Sequence, residues 1–331
     1  TAQHVPITIL LEIENKPQRL HTVQTEEGTA ILPPEAMVQK EEEREAKEEE
    51  LERVVFVDKQ AGVRTECLVA ALNQKLAEEQ KHEKKNSQRN SASDYCISSV
   101  SRLDQDTSGV IVFPMSKSSE IWLTHQFKSH QMVTKRYLAL VCGVTPDTDR
   151  ICAKLKLVEG AVSGSAGAVS CQAFVHPYGK PAETLYRRLH VFRPPSQVQR
   201  DQRDPKGRKD EAYSLLELEL VTGRTHQIRA HMAYMGFPLV SDGRYNKNKR
   251  CVKAQRLWCP RIFLHSASLA MLPFRQHVPE PLRTQTPSGR VEVLAQLPQE
   301  LQAVLRFLGL GQEFEFQPIS DITPESNATV G

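Results

Sequence analysis

The chain has 331 residues, 39% of them hydrophobic and 25% charged, with a formal net charge of +3. That length accommodates one large domain or two ordinary ones with real cores, and no apolar run approaches the ~18 residues that a bilayer span needs, so no membrane association is expected. The small net charge conceals an asymmetry: Glu41 to Arg53 holds eight glutamates against Arg44, Lys47 and Arg53, a local −5 that leaves +8 on the rest of the chain, a balance that suits contact with phosphates without demanding it.

Residues 1–53 read as an N-terminal extension. A strand-like run, Ile7-Thr8-Ile9-Leu10-Leu11, is followed by Leu32-Pro33-Pro34 and then by the acidic run, whose mixed Glu, Lys and Arg predict an exposed helix or linker. A folded domain is expected over 54–290. It opens with the β-branched run Val54 to Lys59, which enters a turn at Gln60-Ala61-Gly62. Thr65 can cap a helix carrying Leu68, Val69, Leu72 and Leu76. Lys81 to Asp94 is rich in Lys, Asn, Ser and Gln and predicts a mobile surface loop, one of two insertions, near 81–96 and 193–210, the second containing Pro194-Pro195.

Val110 to Phe113, Arg136 to Val141 and Ser214 to Val221 read as strands, while Ser116 to Gln126 and Gln227 to Met235 read as helices. In the third strand Leu216, Leu218 and Leu220 alternate with Glu217 and Glu219, the pattern of a half-exposed antiparallel strand. Residues 291–331 read as a C-terminal extension. The mixture defines an α+β fold class with a large, mostly antiparallel sheet.

Seven cysteines form no CxxC pair, and an odd number without framework spacing argues for a reducing, intracellular setting rather than a secreted disulfide scaffold. The first residue is Thr1, so a targeting segment could already have been removed, which leaves organelle, cytoplasm and nucleus all open.

Two separated blocks carry the chemistry. Arg102-Leu103-Asp104-Gln105-Asp106-Thr107-Ser108-Gly109-Val110 places a carboxylate beside a cation, and Thr222-Gly223-Arg224-Thr225-His226-Gln227-Ile228-Arg229 supplies two arginines and a histidine. Taken singly, Asp104 reads as a loop aspartate capping a turn, and Arg229 as a solvent-facing helix charge. Asp106-Thr107-Ser108-Gly109 superficially resembles the Asp-Thr-Gly of aspartic proteases, but those enzymes need that triplet uninterrupted and twice.

Taken together, the two blocks resemble the signature motifs of the RluA-type pseudouridine synthases. The resemblance extends from about residue 54 to about residue 275 and includes Asp58-Lys59-Gln60-Ala61-Gly62, Lys135-Arg136-Tyr137-Leu138-Ala139-Leu140-Val141, Gly236 to Asp242 and Leu264-His265-Ser266-Ala267. It implies the pseudouridine synthase fold, a sheet in two halves with a central active-site cleft and flanking helices. It also implies isomerisation of specific uridines in structured RNA, rRNA or tRNA, with a ribosomal particle as a conceivable partner. In that reaction the bond from C1′ to N1 breaks, the base rotates, and a bond forms through C5. A carboxylate against the sugar can attack C1′ or remove the 2′ proton, and neither route needs a metal or a small-molecule cofactor.

By the same resemblance Asp104 is the catalytic carboxylate, Arg229 its ionic partner, and Tyr137 the ring that stacks on the base and is placed to help remove the C5 proton. Arg102 fills the stack vacated by the flipped uridine, an extrusion that costs a few kcal/mol. Lys135, Arg224, His226 and Thr107 are assigned to substrate or RNA contacts, Arg224 and His226 because amides at a helix N-terminus already favour anions. Two positions depart from the family pattern: Ser101 stands where histidine is usual, and Gln60 where proline is. No S4-like basic module precedes residue 54. A second function class stays open on the sequence, that of an RNA-binding structural or assembly factor of a ribosome or its precursor with reduced or absent catalysis.

Overall fold

A computed structural model of the chain describes residues 7–15, 52–86, 95–129, 132–161, 169–193, 212–272, 290–318 and 322. Strands β1 (Thr8–Asn15) and β2 (Glu52–Lys59) precede helix α1 (Thr65–Asn86). Then come β3 (Ser108–Pro114), α2 (Lys117–Lys128), β4 (Val133–Cys142), β5 (Thr148–Cys152), β6 (Leu155–Ala161), β7 (Val169–Val175), β8 (Glu183–Phe192) and β9 (Tyr213–Leu220). The order closes with α3 (Gln227–Tyr234), α4 (Lys249–Gln255), β10 (Leu264–Met271), β11 (Val291–Leu294) and α5 (Gln299–Phe307).

Nine strands form one sheet in the order β1-β2-β3-β10-β4-β9-β8-β5, with β11 also paired to β10, while β6 and β7 make a separate hairpin. The apolar runs of the central strands are continuous because both faces are covered. On β2, Val55 and Val57 pack with Ile111 and Phe113 of β3 against Leu68, Leu72 and Leu76 of α1, whereas Val54 and Phe56 point to the other face and meet Leu123 of α2. Farther along, Leu216 and Leu218 of β9 pack on Ile228 and Met232 of α3, and Leu215 packs behind them on Leu301, Val304 and Leu305 of α5. Each such leucine contributes about 1.5–3 kcal/mol of burial.

That two-sided cover corrects the half-exposed reading of β9. Glu217 is fully buried, bonded to Arg187 of β8 and facing Arg136 of β4. Burial raises its pKa, and the two arginines oppose the rise. The loop expected over Lys81–Asp94 is also corrected, since α1 continues through Asn86; residues 87–94 lie outside the described residues, as do 16–51 with most of the acidic run and 194–211 with most of the second insertion. The limit drawn at 53/54 cuts β2 itself and that at 290/291 falls where β11 begins, and both strands belong to one sheet, since β1 pairs with β2 and β11 with β10. No described helix is long and apolar enough to cross a membrane.

The two halves of the sheet meet where β3 lies parallel to β10, the one parallel pairing among the described strands, with His265 opposite Ser108 and Ser266 opposite Gly109. The approach is so close that a Cβ on Gly109 would sit 2.1 Å from the Ser266 carbonyl oxygen, and its φ is +110°. Ser266 Oγ donates to the Val110 carbonyl at 3.0 Å. Buried His265 bridges from this seam to the loop after β11: its Nε2 lies 3.0 Å from the Ala295 carbonyl, which only accepts, so the neutral ring carries its proton there and Nδ1 accepts from Ser108 Oγ at 2.9 Å. Burial pulls its pKa down to about 4.

Two outcomes are expected. Gly109→Ala adds both a clash and a disfavoured φ, so it should destabilise by about 3 kcal/mol or prevent folding, as read by urea unfolding. For His265 the unfolded ring titrates near 6.5 and the folded ring near 4. As pH falls between those values the unfolded chain binds a proton that the native chain refuses, and stability drops by up to on the order of 3 kcal/mol. Unfolding curves collected across that window should show the drop, and His265→Gln should flatten it.

Candidate active site

Asp104 sits in the loop entering β3, and that loop is held from below by β2. Lys59 Nζ, fully buried, donates to the carbonyls of Gln60, Val63 and Gln105 at 3.0, 2.8 and 2.9 Å. Burial lowers its pKa to about 8 while the charges of Asp106 and Asp104 pull the other way, so the ammonium persists at neutral pH. The Gly62 amide donates to the Gln105 carbonyl at 2.8 Å, Gln105 Nε2 returns a bond to the Gly62 carbonyl at 3.0 Å, and Thr65 Oγ1 donates to the Leu103 carbonyl at 3.2 Å. A turn closes the loop as the Thr107 amide donates to the Asp104 carbonyl at 3.1 Å.

Arg229 reaches Asp104 from α3, 125 residues later, with Nη1 3.3 Å from Oδ2. Its stronger commitment is to Asp242: Nε donates to Oδ2 at 2.8 Å and Nη2 to Oδ1 at 3.0 Å, the side-by-side geometry suited to a guanidinium. Asp242 is fully buried, and its Oδ1 also accepts from the amides of Arg244 and Tyr245 at 3.0 and 3.2 Å. Burial alone would depress the Arg229 pKa; the bonds and charge of Asp242 together with the charge of Asp104 more than offset it and hold it above the ordinary value. The guanidinium carbon lies 5.1 Å from the centroid of the Tyr245 ring. Helix α3 is buried from Gln227 through Met232, so Arg229 is enclosed rather than facing solvent.

His226 caps α3 in the left-handed region, φ 55°, and turns Nε2 to within 3.6 Å of Asp104 Oδ2. Its Nδ1 lies 3.0 Å from the Tyr245 hydroxyl, whose oxygen accepts from the Ala173 amide at 2.9 Å. With that phenol donating to Nδ1, the neutral imidazole keeps its proton on Nε2, facing the carboxylate. Burial lowers the His226 pKa, and the Asp104 charge opposes the shift. The sequence assigned His226 to phosphate contact; in the structure its ring faces the Asp104 carboxylate.

Asp104, Arg229 and His226 line a cleft of about 1490 Å³, and Asp104 also lines a recess of about 50 Å³ with Tyr137, Thr107, Leu220, Ile228 and Leu264. Tyr137, on β4 opposite Ser266 of β10, is buried. Burial and the Asp104 charge push its phenol up to about 12 against the pull of the Ser266 hydroxyl, so it is protonated at neutral pH. Arg102 is exposed and borders both spaces.

Lys135 and Arg224 do not line the cleft. The Lys135 amine lies against Gly223, where a Cβ would be 3.4 Å from Nζ, and burial lowers its pKa to about 8. Arg224 Nε donates to the Pro181 carbonyl at 3.1 Å. Ser101 lines the cleft beside Arg102. Gln60 is exposed and offers Lys59 only its carbonyl, a group that proline also carries. Asp242, Tyr245 and Lys59 had no assigned role, although Lys59 and Asp242 lie in blocks already matched to the family; a buried-type charge inside a matched block was the available signal. Among the described residues, no three His, Cys, Asp or Glu side chains cluster as metal ligands would.

The family model for RNA pseudouridylate synthases matches residues 53–234, and the chain belongs to that family, in the RluA-type branch its motifs resemble. It is 35% identical over 63% of its length to 52% of a protein from Chloroflexus aurantiacus named as an uncharacterized RNA pseudouridine synthase. It is 33% identical over 51% of its length to 45% of the ribosomal large subunit pseudouridine synthase C of Vibrio cholerae. The chain thus spans about half the length of the curated relatives it matches. The structure of human RNA pseudouridylate synthase domain containing 4 superposes with a TM-score of 0.53, at 18% identity, over 79% of this chain and 92% of that one, a likeness of fold.

The two acids on Arg229 should differ in how much stability their neutralisation costs. Asp242→Asn strands part of a buried, hydrogen-bonded ion pair and should cost about 3–5 kcal/mol. Asp104→Asn, at a side chain still 23% exposed, should change stability by less than about 1 kcal/mol. Urea unfolding of the two variants separates these outcomes.

Proposed function

We propose that the chain isomerises uridine to pseudouridine in folded RNA, rRNA or tRNA, with Asp104 as the reacting carboxylate. The observation that carries this reading is the ion pair between Arg229 and Asp104, 3.3 Å across 125 residues of sequence, on the floor of an open cleft. A guanidinium fixed from behind by Asp242 pairs with the carboxylate and aims it, which is what attack on C1′ or removal of the 2′ proton requires. Either route leaves the freed uracil to turn and rejoin through C5, with loss of the C5 proton.

Tyr137 lies in the recess beside Asp104 and is suited to stack on that base. Because its phenol stays protonated, any help in removing the C5 proton comes as a relay through its hydroxyl, not from a standing phenolate. Arg102 at the mouth is free of the loop's internal bonds and suited to enter the gap left by an extruded nucleotide. Neutral His226 turns Nε2 toward Asp104 at 3.6 Å, too far for a hydrogen bond, and so closes that side of the carboxylate. A scaffold that only binds RNA has no need of Asp104, Arg229 and Tyr137 in one crevice, so the assembly-factor reading is set aside. We place the reaction in a reducing, intracellular compartment on the strength of seven unpaired thiols.

The test is tritium release from RNA carrying uridine labelled at C5. Wild-type protein should release label from unmodified rRNA or tRNA transcripts, and Asp104→Asn should lower the rate by about a thousandfold or more while still binding RNA. Undiminished release by Asp104→Asn would remove the catalytic assignment.

A further inference from the structure

One wall of the cleft has a charge pattern that the reaction does not use. Between Gly243 and Ile262 the chain has seven Lys or Arg and no Asp or Glu. Within this stretch Lys249, Lys253 and Arg256 follow the i, i+4, i+7 spacing of one helical side on α4 and its C-cap, a reach of about 10 Å along the axis. All three are exposed and line the cleft, while Val252 and Gln255 turn inward and are buried. None forms an ion pair with a carboxylate among the described residues; Lys249 Nζ reaches only backbone oxygens, of Gly243 at 2.5 Å and Asn246 at 3.4 Å. The wall's single acid, Asp242, is buried and committed to Arg229. Exposed Arg64 and Arg102 line the same cleft, Arg64 with its Nε 3.4 Å from Gln105 Oε1 in the Asp104 loop. The residues matched by the family model end at 234, before this wall begins.

Resting on the reading of the cleft as an RNA site, we propose that the Lys249–Lys253–Arg256 face of α4 is a track for the sugar-phosphate backbone of the RNA flanking the target uridine. Three unpaired cations in a row, on a short rigid helix facing a cleft, attract a polyanion and release its counterions. They carry no base readout, so this track selects RNA by the course of its backbone past the cleft, with sequence choice left to other contacts. A chain crossing the cleft from Arg102 to α4 lays one nucleotide over Asp104, so the track positions substrate and takes no part in bond making.

The experiment is equilibrium binding of the full-length chain to a pool of unmodified tRNA transcripts across a salt series. Three forms are compared: wild type, the triple variant Lys249→Gln, Lys253→Gln, Arg256→Gln, and a charge-matched control at exposed Lys154, Lys156 and Lys180, which do not line the cleft. The α4 variant should bind about tenfold or more weakly at 0.1 M salt, with the salt slope reduced by about two; the control should change binding far less, and both should unfold at the wild-type denaturant midpoint. Under single-turnover conditions at saturating RNA the α4 variant should recover the wild-type rate of tritium release. Equal weakening by both variants would reduce the effect to net charge and overturn the proposal, as would unchanged binding by the α4 variant. Because binding is read apart from release, an RNA-binding wild type that releases no tritium would sink the catalytic reading and leave the track to be judged on its own curves.

Discussion

Arg229 donates two hydrogen bonds to fully buried Asp242 and a longer third to Asp104, and the order of those commitments decides what each acid can do. Asp242 has its two oxygens occupied by the guanidinium and by two backbone amides, so it serves as a fixed counter-charge. Asp104 receives only what the guanidinium has left, and it keeps exposure toward the cleft. A buried cation held by one acid can lean on another without being fully claimed by it, which leaves the second acid oriented yet open to the cleft. Remove the first acid and the cation either settles wholly on Asp104 or leaves the interior.

The sheet makes that arrangement possible. The parallel junction at Ser108–Gly109 and His265–Ser266 joins two antiparallel halves and sets the Asp104 loop, which feeds β3, next to Tyr137, which stands on β4 across from Ser266. Lys59 ties the same loop to the end of β2. Asp104, Tyr137 and Arg229 therefore come from a loop, a strand and a helix, each with bracing contacts of its own, as a site that must hold its geometry without substrate requires.

Much of the scaffold was readable in the sequence because its pattern is local. The β-branched run at Val54, the leucines of α1 and the strand at Arg136 to Val141 each declare themselves within a few residues. What was misread depended on distant cover. Glu217 alternates with leucines as a solvent-facing residue would, yet Arg187 and Arg136 come from neighbouring strands and α5 closes that face; no window on β9 contains them. Asp104, Arg229 and Tyr137 were legible only as motifs, and the structure brings them to adjoining spaces. The role of Asp242 was not legible, because its meaning lies in a guanidinium 13 residues away and in amides that only a left-handed turn at Ser241 presents to it. His226 was placed at a helix start correctly, but its direction depends on Tyr245, 19 residues on.

The doubled use of β10 has a consequence for how much chain the molecule can do without. Its first residues align with β3, and its last four, Ser268 to Met271, pair with β11, behind which Leu297, Leu301 and Leu305 seal the interior. A product that stopped short of residue 290 would retain both signature motifs and every group at the reaction centre. It would also bare a row of unsatisfied amides and carbonyls along an apolar ribbon, a template on which identical molecules stack. Loss of the tail would thus register first as insolubility.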